Sequence, residues 1–216
     1  MKVLVMGATG GSGRAAVERL LAAGHEVTAF TRGPAGPAVP RLRWVSGDAS
    51  NPRDVDAAVA GHDAVVVALG IRENPLRVRF LGPRATPIDI RSAGTRNVVL
   101  AMQRHGVRRL VVQTSYGVGA TRERLGVVDG LFFELVLKPQ IADTEAQEAI
   151  VTASGLDWVL VQPVHLTDDA DDAMPFVSGD GETRRMKVSR AAVGRVLDRA
   201  VTSREWVGAS LAVSAA

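Results

Sequence analysis

The chain of 216 residues contains no cysteine, which excludes disulfides, thiol nucleophiles and thiolate metal centres. Lysine is almost as scarce: Lys2, Lys138 and Lys187 are the whole supply, and arginine carries the rest of the positive charge. Aromatic residues make up only 4% of the chain, with a single tyrosine, Tyr116. No basic block alternates with aromatics and the net charge is only +3, so nucleic acid is not an expected partner despite a pI near 9.9. No apolar run approaches the roughly 18 residues of a membrane span, and Met1 leads straight into a strand-like segment rather than a secretory leader. A soluble, cytoplasmic protein without membrane contacts is expected. The catalogue of missing motifs continues: no G-K-[ST] follows a glycine loop, and GGSGR around Ser12 is not a G-x-S-x-G nucleophile elbow.

What is present is organised around Met1–Arg32. Val3-Leu4-Val5-Met6 reads as a buried strand. Gly7, Gly10 and Gly13 punctuate the next seven residues, and Val17, Leu20 and Leu21 then recur at helical spacing up to Gly24. A second strand, Glu26–Thr31, follows. Strand, glycine turn, helix and strand in this order make half of a dinucleotide-binding unit. Gly7 allows a sharp turn off the strand, Gly10 and Gly11 let the backbone approach a diphosphate, and Gly13 allows close packing of the helix. The free amides of the helix start, around Ser12–Ala15, then face the phosphates.

At the end of the second strand, where an NAD site places Asp or Glu against the ribose 2′-hydroxyl, the chain has Thr31-Arg32. A guanidinium suits a 2′-phosphate, so NADP(H) is expected over NAD(H), with Arg14 as a second cation. The alternative is that Arg32 merely opens a solvated loop. Leu42–Val45 is a third strand, and Asp48 beyond it either accepts from the adenine amino group or serves as a cap or turn residue ahead of Pro52.

The alternation continues through a helix at Asp54–Ala60, a central strand at Asp63–Leu69, a helix at Ile88–His105 and a strand at Arg109–Thr114. Ala68-Leu69-Gly70 is expected to pass under the cofactor's ribose and phosphates. A short helix is predicted over Val127–Leu137, a longer one over Pro139–Ser154, and a sixth strand over Leu156–Val161. Glu182–Val188 reads as an edge strand, Ser189 as the N-cap of a helix over Arg190–Ala200, and Trp206–Val213 as a last strand. The expected architecture is one α/β domain spanning residues 1–216, a doubly wound parallel sheet with helices on both faces. Substrate loops fall at about 71–87, 116–137 and 163–181, beyond strand ends. The first holds Arg72, Arg77, Arg79 and Arg84, which either meet an anionic small-molecule substrate or stay solvated. The acidic run Asp168, Asp169, Asp171 and Asp172 reads as a solvated loop, and no metal is expected.

The glycine spacing of GATGGSG together with Thr31-Arg32, Gly47-Asp48, Ala68-Leu69-Gly70, Thr114-Ser115 and Gln162-Pro163 resembles the atypical short-chain dehydrogenase/reductase family, in its NAD(P)H-binding, NmrA-like branch. The likeness covers nearly the whole chain. ALGIREN, SAGTRNVVLAMQRHGVRRLVV, TSY and QPVHL are most similar to flavin reductase, also called biliverdin-IXβ reductase. The resemblance implies a Rossmann fold and NADPH-dependent reduction of flavins or linear tetrapyrroles. It places Gly7, Thr9, Gly10, Gly11, Ser12 and Gly13 at the diphosphate, Arg32 at the 2′-phosphate and Asp48 at the adenine. It places Ala68, Leu69, Gly70 and Thr114 along the cofactor, and Ser115, Pro163, Val164 and His165 around the nicotinamide and substrate.

One departure bears on the chemistry. Short-chain dehydrogenases pair a Tyr with a Lys four residues on, but Tyr116 is followed by Ala120, and Thr144 stands where related atypical members carry a lysine. Tyr116 is therefore expected to be a pocket wall rather than a proton donor activated by lysine. A flavin, quinone or tetrapyrrole needs less help, since hydride enters a conjugated system that spreads the charge. Ser115 would orient the carboxamide or the substrate, and the proton would come from solvent or His165. Two other readings share this fold: a non-catalytic NADP-sensing regulator, and an epimerase or dehydratase.

Overall fold

The first strand, β1 (Lys2–Met6), is apolar after its first residue, and Val3 to Met6 are wholly buried. A strand buried on both faces belongs inside a sheet covered by helices on each side. In the computed structural model, residues 1–71, 73, 77, 80, 82–84, 86–124, 138–170 and 173–216 are described. After β1 come α1 (Gly11–Ala22), β2 (Glu26–Thr31), β3 (Leu42–Ser46), α2 (Pro52–Val59) and β4 (Ala64–Val67). Then follow α3 (Ile90–His105), β5 (Arg109–Gln113), a 3₁₀ turn (Gly119–Arg124), α4 (Lys138–Thr152) and β6 (Asp157–Pro163). The chain ends with β7 (His165–Thr167), β8 (Phe176–Ser178), β9 (Lys187–Ser189), α5 (Arg190–Thr202) and β10 (Ala209–Ser214).

Among the described residues the main sheet has eight strands in the order β3-β2-β1-β4-β5-β6-β10-β8. All neighbours run parallel except β8, which pairs antiparallel with β10. The period of two along each strand divides the core. Val3, Val5, Val111, Val159 and Val161 face a layer made with α1 and α5. Leu4, Met6, Leu110, Val112 and Leu160 face the opposite layer, with α2 and α3. This is the doubly wound α/β architecture expected from the sequence, and its order reverses direction between β1 and β4. The carboxyl ends of those two strands are where such sheets leave a crevice.

The structure corrects the expected elements in the last third. The edge strand predicted over Glu182–Val188 is reduced to β9, which pairs with β7 in a separate two-stranded ribbon. The edge of the main sheet is β8, inside a stretch read as a loop. Three-residue strands are too short for a periodicity to show. The last strand begins at Ala209 rather than Trp206, because the backbone turns at Gly208 (φ +76°) and Trp206 stacks against Arg199 instead. Ser189 caps α5 as expected, accepting from the Ala192 amide at 3.0 Å. The helix predicted over Val127–Leu137, and Arg72, Arg79, Asp171 and Asp172, lie outside the described residues.

Candidate functional site

The chain leaves β1 through Gly7, whose φ of +80° is a conformation L side chains rarely adopt. A Cβ there would also lie 2.5 Å from the Ala68 carbonyl oxygen, so the segments leaving β1 and β4 run almost in contact. The Gly10 amide donates back to the Gly7 carbonyl at 2.9 Å, and a Cβ on Gly13 would stand 2.1 Å from that same oxygen. The turn can close only with glycine at both ends.

This turn presents the start of α1. Gly10 at the N-cap has no side chain to offer, and the first turn holds no acid. The starts of α2, α3 and α5 are provided for. Asn51 accepts from the Arg53 amide at the start of α2, Ser189 caps α5, and the Asp143 carboxylate takes the Arg91 and Ser92 amides of α3, each at 3.0 Å. The amides of α1 instead open on a groove of about 700 Å³, within the ordinary range of ligand sites. Among the described residues, Arg14, Arg32, Arg91 and Arg190 line it against one carboxylate, Asp168. Arg32 Nη2 donates to Thr86 Oγ1 at 2.8 Å at the groove wall. A closed glycine turn, amides without caps and a cationic wall together fit the diphosphate and phosphate groups of a dinucleotide.

Residues 7–204 match the model of a family described as NAD(P)H-binding. The chain belongs to that family.

This NAD(P)H-binding protein shares its fold with several solved structures at low identity. The oxidoreductase YlbE from Lactococcus lactis superposes with a TM-score of 0.80 at 15% identity, over 100% of this chain and 91% of that one. A wide-type short-chain dehydrogenase/reductase from Veillonella parvula, solved in complex with NADP, gives 0.78 at 17%, over 99% and 94%. The anaerobillin reductase ChuY from Escherichia coli O157:H7 gives 0.76 at 19%, over 99% and 97%. These likenesses concern the fold. A 3-beta-hydroxysteroid dehydrogenase from Mycolicibacterium neoaurum is 48% identical over 65 residues, which is 30% of this chain and 18% of that enzyme. No helix among the described residues of this NAD(P)H-binding protein is long and apolar enough to cross a membrane.

The predicted site residues divide into two groups. Gly7, Thr9, Gly10, Gly11, Ser12, Arg32, Ala68, Leu69, Gly70 and Thr114 all line the groove. Gly13 lies beneath it, against Gly7. The remaining ones do not line it. Asp48 Oδ1 accepts from the Ser50 amide at 2.8 Å, a turn contact, and Ala49 takes the place at the groove. Ser115 Oγ donates to the Tyr116 carbonyl, and the buried Tyr116 hydroxyl donates to the Gly181 carbonyl at 3.1 Å. Pro163 and Val164 are buried in backbone pairing beside β10. His165 is exposed at the start of β7, while its neighbour Leu166 faces the groove.

Sequence reading missed four polar residues that the fold brings here. Arg190, first in α5, reaches over the glycine turn, so that a Cβ on Gly11 would meet its Nε at 2.6 Å, and it pairs with Asp168 at 2.7 Å. Arg91, second in α3, stands beside Gly70. Gln113 ends β5 at the groove. Glu148 of α4 lies buried behind Thr114, accepting from the Thr114 hydroxyl at 2.6 Å and from Gln162 Nε2 at 2.9 Å. Burial pushes the Glu148 carboxyl above its usual range, against the two hydrogen bonds that favour its charge. With its proton given to Glu148, the Thr114 hydroxyl is left to accept from whatever occupies the groove.

Proposed function

We propose that this protein is an NADPH-dependent reductase that passes hydride to a planar, conjugated, anionic acceptor of the flavin, quinone or linear tetrapyrrole kind. The observation that supports the reading best is the uncapped start of α1, held under a glycine turn that excludes any side chain, in a groove walled by Arg32 and Arg14. In this reading the amides of Gly11, Ser12 and Gly13 hold the diphosphate, and Arg32 with Arg14 holds the 2′-phosphate. Ala68, Leu69 and Gly70 run beneath the ribose, and Thr114 accepts a hydrogen bond toward the nicotinamide end. Bound NADPH supplies the hydride, and the chain's own contribution is to hold the two planes together and limit water.

The pattern of absent donors favours a conjugated acceptor over an alcohol–ketone pair. The Tyr116 hydroxyl is spent on a carbonyl, Thr144 Oγ1 donates to the Gln140 carbonyl, and no lysine lines the groove among the described residues. A lysine-assisted tyrosine is therefore not available to protonate an alkoxide, which also disfavours epimerase or dehydratase chemistry. His165 is exposed and does not line the groove, so the proton falls to solvent.

The test is to mix protein, NADPH and FMN and follow absorbance at the nicotinamide band. Oxidation above the protein-free rate is expected. Tight binding of both NADP and NADPH without oxidation in the presence of FMN, a quinone or a tetrapyrrole would replace the reductase by a non-catalytic sensor of the cofactor.

A further inference from the structure

Arg91 is a cation in an expensive position. It is the second residue of α3, at the positive end of the helix dipole, where a positive charge is disfavoured. Its side chain is 19% exposed, and burial lowers the basicity of the guanidinium. Its one ion-pair partner among the described residues, Asp143, lies 4.0 Å away, beyond hydrogen-bonding distance. Both Asp143 oxygens are already engaged by the Arg91 and Ser92 amides. Nη1 is buried without a hydrogen-bond partner. A buried charged donor left without a hydrogen bond costs more than an ordinary hydrogen bond returns, so native structures rarely keep one without a use.

The use is indicated by what lies beside it. Arg91 lines the groove, with Nη2 3.3 Å from where a Cβ on Gly70 would be. Gln113 lines the same groove and also holds a buried terminal atom, Oε1, without a partner. Asp168 is paired to Arg190, so among the described residues no groove carboxylate is committed to Arg91.

We propose that Arg91 is an anion-binding residue of this groove, whose guanidinium receives an oxyanion group, carboxylate or phosphate, of the bound ligand. This rests on the reading of the groove as the cofactor and acceptor site. The oxyanion comes either from the acceptor or from the nucleotide, and the residue is a binding group in both cases.

The test is Arg91→Met, which keeps an unbranched apolar stem and removes the charge, with binding measured by flavin fluorescence quenching and by NADPH fluorescence, neither of which needs turnover. FMN and riboflavin differ only in a phosphate. If the acceptor supplies the anion, FMN affinity falls about 10- to 100-fold while riboflavin and NADPH bind as before. If the nucleotide supplies it, NADPH and NADH weaken together and both flavins are unaffected. Unchanged binding of all four ligands would overturn the proposal and leave Arg91 a structural brace to Asp143. Should the Met variant fail to fold, Arg91→Gln takes its place with the same outcomes. If the wild type binds neither nucleotide nor flavin, the reading of the site has failed, and Arg91 is then judged by its own side-chain N–H resonances: a shift with inorganic phosphate sustains the proposal and no shift overturns it.

Discussion

Replacing Gly13 by alanine gives the sharpest test of the turn beneath the site, because two ordinary effects oppose each other in sign. Gly13 is the third residue of α1. On helix propensity alone Gly13→Ala stabilises, by up to about 1 kcal/mol. The added Cβ, however, would stand 2.1 Å from the Gly7 carbonyl oxygen and 2.8 Å from its carbon. Both are backbone atoms, and Gly7 is fixed in turn by its own approach to Ala68. No side chain can swing aside, so the start of α1 must shift outward by about 1 Å to reach normal contact distance. Overpacking of this kind costs roughly 1–3 kcal/mol, and a backbone collision belongs at the upper end. The expected net loss is about 2 kcal/mol, or roughly 4–8 °C in melting temperature for a domain of this size. Gly10→Ala is the control: its Cβ would sit 3.3 Å from the same oxygen, a gap closed by a few tenths of an ångström. The assay is thermal melting of both variants without nucleotide, followed by NADPH titration. On the proposed reading the same 1 Å displacement moves the amides off the diphosphate, and NADPH affinity should fall by about 100-fold in Gly13→Ala. A Gly13→Ala protein that melts at or above the wild type would refute the close contact and the cradle built on it.

Two further outcomes follow from side chains at the site. Arg32→Ala should weaken NADPH by about 10- to 100-fold, the worth of a charge-assisted hydrogen bond, and leave NADH nearly untouched; equal loss for both nucleotides in a fluorescence titration would remove the assignment to the 2′-phosphate. Glu148→Gln should flatten the pH dependence of stability. Burial raises the Glu148 carboxyl in the folded state, so its contribution is fully present below the unfolded carboxylate range and is lost as pH rises through the folded value. Glutamine keeps an oxygen for Thr114 and Gln162 without that loss, so the variant should gain on the wild type in urea midpoint between acid and neutral pH; parallel profiles would show that Glu148 does not titrate abnormally.

How far the sequence could be read depended on how local the cause was. The opening β-turn-α-β unit was legible because each feature is set by near neighbours: an apolar run, glycines where a side chain collides, and a helical period behind them. Central strands such as β4 and β5 were legible because a run of valines buried on both faces has few other placements. Asp48 illustrates the limit. Its residue type suits both an adenine contact and a turn, and only the folded backbone shows its Oδ1 engaged by the Ser50 amide. Glu148 was beyond reach, since nothing near it in the chain signals that α4 will lay it against Thr114, 34 residues away.

The arginines of the groove share a feature that is written in the sequence. Among helix starts described with their caps, α2 shows the usual arrangement, with Asn51 as cap and Asp54 in the first turn. The starts of α1, α3 and α5 hold no acid in the first turn. They hold Arg14, Arg91 and Arg190 within their first four residues instead, and all three line the groove. Each places a cation against the positive end of a helix dipole, a cost of about 0.3–1 kcal/mol. Solubility does not require this, since an exposed arginine serves equally well elsewhere on a helix. Around the groove no first-turn acid offsets the cation, whereas in α2, which does not line it, Asp54 stands beside Arg53. A local violation repeated around one cavity marks a site where ligand charge completes the electrostatics. Read in this way, a basic residue in a predicted first helical turn that holds no acid points to Arg91 and Arg190 from the sequence alone.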